Sequence, residues 1–200
     1  MNDDDVKITS RETVFEGWHR LELIDLEHRS RKDPDRMVPM SREMYYCGTI
    51  VVGLLYQPET DQILLNEQFR VGAYIAGEPN PWLLECCAGR IDDGEAPEDA
   101  LRREAEEETG CAITDIEFVT KLYPSPGGTD EVFMLYCGRI DAATTGHFGL
   151  EDEGEEISTF LVSADDAIRM LDDGKITNGA TVTLLHWFAR NRDRLRKKWA

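Results

Sequence analysis

Three glutamates in residues 89–111 are spaced to share one face of a helix. If residues 96–109 are helical at about 100° per residue, Glu104, Glu107 and Glu108 lie at roughly 0°, 300° and 40°. Like charges four residues apart destabilise a helix, so this face needs a compensating cation. Arg103 can pair with Glu107, which leaves Glu104 and Glu108 facing the same space. Because oxygen ligands favour Mg²⁺ or Mn²⁺ over zinc, the spacing is compatible with a hard divalent cation.

A Glu-rich helix is usually just a solvated acidic face. The residues around these glutamates favour a metal site instead. The segment fits the pattern Gx5Ex7REUxEExGU, where U is apolar, and Cys111 in the last position is a mild departure. Its fixed positions are Gly89, Glu95, Arg103, Glu104, Ala105, Glu107, Glu108 and Gly110. The segment resembles the signature of the Nudix hydrolases, a loop–helix–loop that binds divalent metal and hydrolyses nucleoside diphosphates linked to another moiety.

A second motif narrows the resemblance. Pro126 lies 16 residues after Gly110, within the sequence SPGGT at residues 125–129. This placement is similar to that in the bacterial ADP-ribose pyrophosphatase branch of the Nudix hydrolases. Residues 11–18, 67–74, 81–85 and 197–200 also resemble that branch, so the likeness covers nearly the whole chain.

The resemblance implies a set of metal ligands and a cofactor. Glu104 and Glu108 hold the metal together with the backbone carbonyl of Ala88. Glu107 is expected among the catalytic residues, where it would support Arg103 or act as a further metal ligand. The expected cofactor is Mg²⁺, with Mn²⁺ as a substitute, and it would bind the diphosphate and lower the pKa of an attacking water.

A second acidic cluster occupies residues 149–156. In isolation such a charge run is most often a solvated loop. The resemblance places the general base at Glu153 and a further metal ligand at Glu155, with Glu151 and Glu156 as alternatives. A carboxylate beside the activated water can take its proton as the water attacks phosphorus.

The resemblance also implies contacts with the substrate. Arg42 and Arg70 would hold the nucleotide and phosphate end, because guanidinium groups suit phosphate oxygens. The plainer alternative for each is a surface ion pair. The diphosphate and terminal ribose would meet Arg90, Ser125, Gly127 and Glu131. The adenine would meet residues of the partner subunit, namely Trp18, His19 and Glu43.

Composition excludes several classes of protein. The 200 residues carry 22 Lys and Arg against 40 Asp and Glu, a formal net charge of −18. An acidic surface repels phosphate backbones, which argues against nucleic acids and anionic membranes as partners. The basic residues 190–198 are expected to complement a helix C-terminus instead.

The start lacks a signal-peptide pattern, and residues 48–56 are too short to span a bilayer. Five cysteines without a CxxC pair, two of them adjacent in an apolar run, indicate mostly buried, reduced thiols in a cytosolic protein. The four histidines show no zinc spacing, which argues against a zinc site.

Hydrophobic patterning predicts strands in the first two thirds of the chain and helices at its end. The strands are expected at residues 11–26 (one or two strands), 44–56, 62–69, 82–88, 112–123, 131–140 and 157–162, with loops at 29–39 and 70–81. Helices are expected at 96–109, at 163–172 with Ser163 as N-cap, and at 179–198. We expect an α+β protein, a Nudix-type α/β/α sandwich with a mixed sheet. An N-terminal β arm, residues 1–43, would be exchanged within a homodimer, and the Nudix domain would span residues 44–200.

The resemblance implies Mg²⁺-dependent hydrolysis of ADP-ribose to AMP and ribose 5-phosphate. The nearest alternative is the same chemistry on another nucleoside diphosphate sugar, such as GDP-mannose. An enzyme of broad specificity is a third possibility. A Nudix module that binds ADP-ribose without cleaving it is less compatible with the sequence, because such modules usually lose glutamates that this chain keeps.

Overall fold

The computed structural model describes residues 3–149, 154 and 156–199. These residues form two compact units. The first unit contains the chain up to Gly48 together with Tyr123–Val132, and the second contains Thr49–Leu122 together with the chain from Phe133 onward.

The first unit is built on a three-stranded antiparallel sheet. Its strands, in sheet order, are β1 (Val6–Glu16), β2 (Arg20–Arg29) and β3 (Met37–Tyr46). Glu22 of β2 is buried and links all three strands. It accepts a hydrogen bond from the Tyr46 hydroxyl at 2.8 Å and pairs with Arg11 at 3.4 Å and Arg20 at 3.1 Å. These donors satisfy a carboxylate that would otherwise be costly to bury.

The second unit contains an eight-stranded mixed sheet. Six strands follow the order β10-β11-β5-β4-β9-β8, while β6 pairs with β5 and β7 pairs with β4. The strands are β4 (Thr49–Gln57), β5 (Gln62–Phe69), β6 (Trp82–Glu85), β7 (Cys87–Arg90), β8 (Ile113–Leu122), β9 (Val132–Ile140), β10 (His147–Phe148) and β11 (Ile157–Ser163).

Helices cover both faces of this sheet. The helices are α1 (Val71–Ile75), α2 (Pro97–Thr109), α3 (Ala164–Asp172) and α4 (Gly179–Trp199). Leu101 and Ala105 of α2 are fully buried in one apolar cluster with Val51 and Leu55 of β4. The other cluster contains residues of α3 and α4 with Val52, Leu54 and Tyr56 of the same strand. Because successive strand residues point to opposite faces, β4 contributes to two cores. The α+β class with a mixed sheet is confirmed.

Local signals fix the ends of two helices as predicted. The Ser163 hydroxyl accepts the Asp166 backbone N–H at 3.1 Å, which caps α3. Gly110 adopts a left-handed conformation with φ 64° and ends α2.

Four element predictions are wrong in detail. The single strand expected at residues 44–56 is two strands, β3 and β4, interrupted at Cys47 and Gly48. Gly48 has φ 86°, and the Asp130 carboxylate accepts both backbone N–H groups, at 2.7 and 3.2 Å. The strand expected at 82–88 is also divided, because β6 and β7 pair with different neighbours. The loops expected at 29–39 and 70–81 contain the start of β3 and the short helix α1.

The basic C-terminal helix is held by acidic residues. Arg194 and Lys198 pair with Glu117 of β8, and Arg192 and Arg196 pair with Asp61. Several basic residues of the segment 190–198 are therefore paired with acidic residues of this chain. In the part of the chain that the structure describes, no helix has the length and apolar character needed to cross a membrane.

Candidate active site

The loop before α2 is tied to the helix by one arginine. Arg103 donates to both carboxylate oxygens of Glu95, at 3.0 and 3.1 Å, and to the backbone carbonyl of Arg90 at 3.0 Å. It also donates to Glu104 at 2.7 Å and to Glu107 at 3.2 Å. These hydrogen bonds raise the pKa of Arg103 and lower that of Glu95. The predicted pair between Arg103 and Glu107 is therefore present as one contact in a larger network.

Gly89 lets a glutamate of the helix approach the backbone of β7. A Cβ atom at this position would lie 1.8 Å from the side-chain carboxyl carbon of Glu104. A side chain at this position would force the Glu104 carboxylate to move, so the glycine permits its close approach to β7. The side chain of Glu104 is only 13% exposed.

Glu108, one turn further along α2, is buried and hydrogen-bonded. The residue as a whole is 8% exposed. The carboxylate oxygen Oε2 accepts the side-chain amide of Asn66 at 3.0 Å and the backbone N–H of Ala88 at 3.3 Å. The helix thus presents Glu104 and Glu108 to Gly89 and Ala88 of β7.

Arg70 lies at the end of β5 and is bound to a buried acid. Its guanidinium group forms a bidentate pair with Glu85 of β6, at 3.0 and 2.7 Å. The Glu85 side chain is 5% exposed and that of Arg70 is 43% exposed. A bidentate pair fixes the plane of the guanidinium group, and the exposed part can still meet an anion. Arg90, the other predicted contact in this unit, is exposed at the end of β7.

The SPGGT turn belongs to the first unit. The Ser125 carbonyl accepts the N–H groups of Gly128 and Thr129, each at 3.1 Å, which closes the turn. Its backbone also bonds to β3, where the Tyr45 N–H donates to the Gly128 carbonyl at 2.9 Å. Ser125 and Gly127 are exposed.

Two predicted substrate contacts, His19 and Glu131, lie near this turn or close to the end of β3. His19 approaches the Tyr46 carbonyl at 2.9 Å and packs against the Tyr45 ring at a centroid distance of 4.9 Å. Burial and the neighbouring Asp130 raise the pKa of Glu131, while His19 opposes that rise. Within the first unit, His19, Glu131 and the turn are therefore associated.

The remaining predicted contacts of the first unit are exposed. Trp18 is 85% exposed at the turn between β1 and β2. Arg42 and Glu43 are neighbours on β3, and Arg42 donates to the Ser41 carbonyl at 2.7 Å. Their roles toward a nucleotide stay predictions.

The family of the chain follows from a comparison with domain models. A model of the NUDIX domain matches residues 48–185, which is more than half of the chain. The chain belongs to the NUDIX family. The glycines, arginine and glutamates described above are its Nudix box.

Relatives match the chain over almost its whole length. The ADP-ribose pyrophosphatase of Escherichia coli strain K12 is 38% identical over 198 residues, covering 98% of this chain and 94% of that protein. The ADP-ribose pyrophosphatase of Haemophilus influenzae is 34% identical, covering 98% and 91%. The GDP-mannose pyrophosphatase of Pectobacterium atrosepticum is 32% identical, covering 92% and 97%.

A solved structure shares the fold. The crystal structure of an ADP compounds hydrolase matches with a TM-score of 0.71, covering 98% of this chain and 96% of that chain, at 21% identity. At this identity the match shows the fold alone.

The Nudix box offers two carboxylates that are suited to a divalent cation. Across residues 3–149, 154 and 156–199, no group of three or more His, Cys, Asp or Glu side chains is placed to hold a metal ion. Glu104 and Glu108 offer carboxylate oxygens, the donors that Mg²⁺ prefers. The space that a Cβ of Gly89 would fill belongs to the Glu104 carboxylate, so the backbone is shaped around one of these donors. The donor set fits a hard cation that takes further ligands from elsewhere.

The second acidic cluster is only partly described. Glu153, the predicted base, Glu155, the predicted further ligand, and the alternative Glu151 lie outside the described residues. Glu156 is exposed, directly before β11. The ligation by the Ala88 carbonyl also stays a prediction, and the structure adds the bond from its N–H group to Glu108.

Sequence reasoning missed two polar residues that hold site residues in place. Asn66 contacts Glu108 and Glu85 contacts Arg70. Each is a polar residue in a buried strand, and this polarity was the only sign in the sequence that the residue has a specific partner. A polar side chain in such a strand needs a partner, although the strand itself does not say which one.

Proposed function

We propose that this protein is a Mg²⁺-dependent hydrolase of ADP-ribose that releases AMP and ribose 5-phosphate. The similarity to ADP-ribose pyrophosphatases, which extends over nearly the full chain, carries the proposal. The box supports it, because Glu104 and Glu108 are intact and packed against β7. A Nudix module that only binds its ligand has no need for these acids.

The chain's own residues divide the work of the reaction. Glu104, Glu108, Glu155 and the Ala88 carbonyl would hold the cation. When bound, Mg²⁺ supplies charge neutralisation for the diphosphate and Lewis-acid activation of the attacking water. Glu153 would take the proton of that water as its oxygen bonds to phosphorus. The bond between that phosphorus and the bridging oxygen then breaks.

The arginines would bind the substrate phosphates. The pair with Glu85 holds the Arg70 guanidinium group in one plane, so this residue can bind phosphate oxygens without first being ordered. Arg42 and Arg90 would add charge, and Ser125, Gly127 and Glu131 would meet the diphosphate and terminal ribose. Trp18, His19 and Glu43 would contact the adenine from the partner subunit.

We propose further that the protein is a cytoplasmic homodimer and that residues 1–43 form an exchanged arm. The first unit exposes large apolar side chains, among them Ile8, Val14, Phe15 and Trp18, which support an interface there. Free, buried thiols support a reducing compartment.

Hydrolysis of GDP-mannose is the second candidate. Relatives named GDP-mannose pyrophosphatase cover most of this chain at similar identity. The two candidates share the box chemistry and differ in the base and in the terminal sugar that the protein must recognise.

A substrate panel tests the proposal. The purified protein is incubated with Mg²⁺ and ADP-ribose, GDP-mannose, ADP-glucose, NADH or diadenosine polyphosphates, and the products are separated by chromatography. We expect the highest kcat/KM for ADP-ribose, with AMP and ribose 5-phosphate as products. A higher value for GDP-mannose would favour the second candidate, and ADP-ribose binding without turnover would contradict enzymatic activity.

A further inference from the structure

Asn66 is a buried amide in the centre of β5. The residue is 4% exposed and pairs in register with Thr159 of β11 on one side and Glu85 of β6 on the other. It follows three buried residues, Ile63, Leu64 and Leu65, so an apolar side chain would suit its position in the strand.

The amide of Asn66 has a fixed orientation. Its Nδ2 group donates to Oε2 of Glu108 at 3.0 Å, and the Ala88 N–H group donates to the same oxygen at 3.3 Å. A carboxylate oxygen accepts hydrogen bonds, so the nitrogen of the amide must be the atom facing Glu108. Two donors from two strands therefore hold one oxygen of this carboxylate.

This orientation leaves the amide oxygen without a partner. Oδ1 of Asn66 is buried and accepts no hydrogen bond in the described part of the chain. A buried acceptor without a donor is costly, and most such groups in folded proteins are paired. An apolar residue of similar size would avoid that cost, so packing alone does not explain an asparagine here.

We propose that Asn66 is a positioning residue of the divalent-cation site. Its amide nitrogen fixes the Glu108 carboxylate, and its amide oxygen is satisfied when the cation binds, directly or through a water of the cation. Carboxylate and amide oxygens are both ligands for hard cations. The inference rests on the proposed function only in placing a cation at Glu104 and Glu108.

The first test measures metal binding without substrate. Mn²⁺ is titrated into the metal-free protein and the free ion is followed by electron paramagnetic resonance. We expect Asn66→Leu to weaken Mn²⁺ binding about tenfold or more, as loss of a residue that orients a metal ligand does. Thr181→Val is the matched control, because Thr181 is also buried and accepts the Cys86 N–H at 2.9 Å, but on the opposite core cluster. The control should leave Mn²⁺ affinity unchanged.

The kinetic test separates positioning from catalysis. Asn66→Leu should raise the Mg²⁺ concentration needed for half-maximal activity, whereas kcat at saturating Mg²⁺ should recover most of the wild-type value. Mn²⁺ affinity within twofold of wild type would overturn the inference.

Asn66→Asp gives a second readout if the leucine variant does not fold. This change keeps the size and the oxygen but places a further carboxylate beside Glu108. We expect a lower Tm in chelator and a larger rise in Tm on adding Mn²⁺ than in the wild type. A Tm that does not respond more strongly to Mn²⁺ would contradict the inference.

Failure of the proposed function would look different. If wild-type protein binds Mn²⁺ and Glu108→Gln weakens that binding, but ADP-ribose is not hydrolysed, the function is wrong while Asn66 keeps its role. If Glu108→Gln leaves Mn²⁺ binding unchanged, there is no cation at this glutamate and both proposals fall.

Discussion

Glu108 carries its charge in the last turn of α2, where the helix dipole disfavours a carboxylate. It is also largely buried, and it shares the helix with Glu104. Burial, the helix dipole and the neighbouring charge all oppose this carboxylate, and the hydrogen bonds from Asn66 and Ala88 offset part of that cost. The proposed cation would bind this carboxylate and offset its repulsion from Glu104.

Glu108→Gln should separate activity from stability. We expect kcat to fall by several orders of magnitude, while the Tm in chelator stays unchanged or rises because like charges are removed. Activity with ADP-ribose and thermal unfolding are the two measurements. Glu106→Gln is the matched control, since Glu106 is exposed on the same helix and should keep full activity. Near-normal turnover of the Glu108 variant would contradict the metal role.

Gly89→Ala should displace Glu104. The added methyl group would lie 1.8 Å from the carboxyl carbon, so the glutamate must move away from β7. A misplacement of about 1 Å in a site can cost about 100-fold in rate, so we expect kcat/KM to fall by about that factor. Gly72→Ala is the control, because nothing lies within 4 Å of its added methyl group. Full activity of folded Gly89→Ala would show that the position of Glu104 is not critical.

The sequence shows which residues face the site better than it shows what holds them. Helical spacing alone places Glu104 and Glu108 on one face of α2. Their supports come from distant strands, since Asn66 is 42 residues from Glu108. Periodicity reports the face that a residue occupies, whereas a partner across the sheet depends on strand pairing that no local pattern encodes.

At the scale of elements, the sequence predicted the ends of helices correctly where neighbouring residues determine them. The Ser163 cap and the left-handed Gly110 act within a few residues of the helix ends they define. The break between β3 and β4 has a different origin, because the Asp130 carboxylate that holds it is 83 residues from Cys47. Residues 44–56 contain no charged side chain, so their composition did not mark where one strand ends.

The attachment of α4 should depend on pH. The hydrogen bond from Arg192 lowers the pKa of Asp61, which also accepts the Tyr56 hydroxyl at 2.7 Å. Because the pKa is lower in the folded state, the stabilisation is present above about pH 4 and is lost as the pH falls through the lowered value. We expect Asp61→Asn to lower the free energy of unfolding by about 2 kcal/mol at pH 7, and by less in acid.

Urea unfolding in chelator between pH 3 and pH 7 measures this dependence. Asparagine tolerates the left-handed backbone of Asp61, which has φ 57°, so the change removes charge without adding strain. Asp141→Asn is the control, because this acid is exposed and should contribute less than about 0.5 kcal/mol. An equal loss for Asp61→Asn at both ends of the pH range would contradict the mechanism.

At the scale of the whole molecule, the proposed exchange of the arm can be tested by mixing two defective variants. Stacking of an aromatic side chain on a base is worth roughly 1–3 kcal/mol, so Trp18→Ala should raise KM about ten- to a hundredfold. Trp18→Ala and Glu108→Gln are combined under conditions that allow subunits to exchange. If the site is shared, activity at low substrate should recover, because one site of the heterodimer has both residues intact.

Other results of this experiment would argue against exchange. No recovery would indicate that each subunit completes its own site, and a monomer in light scattering would exclude sharing altogether. Loss of the dimer or of stability in Trp18→Ala would assign this tryptophan to an interface instead.

The five cysteines can be used to follow unfolding, because their reactivity toward a thiol label depends on how deeply each one is buried. Cys47 is half-buried, whereas Cys86 and Cys137 lie in the core cluster beneath α3 and α4, and Cys87 and Cys111 lie in the cluster beneath α2. Burial raises the pKa of Cys86 to about 12 and those of Cys87 and Cys137 well above the usual range, so the folded chain should take up a thiol-reactive label mainly at Cys47. Labels gained later, located by peptide mass spectrometry, would show which side of the sheet opens first. Adding Mg²⁺ should slow labelling of Cys87 and Cys111 more than that of Cys86 and Cys137, because the cation would bind on their side.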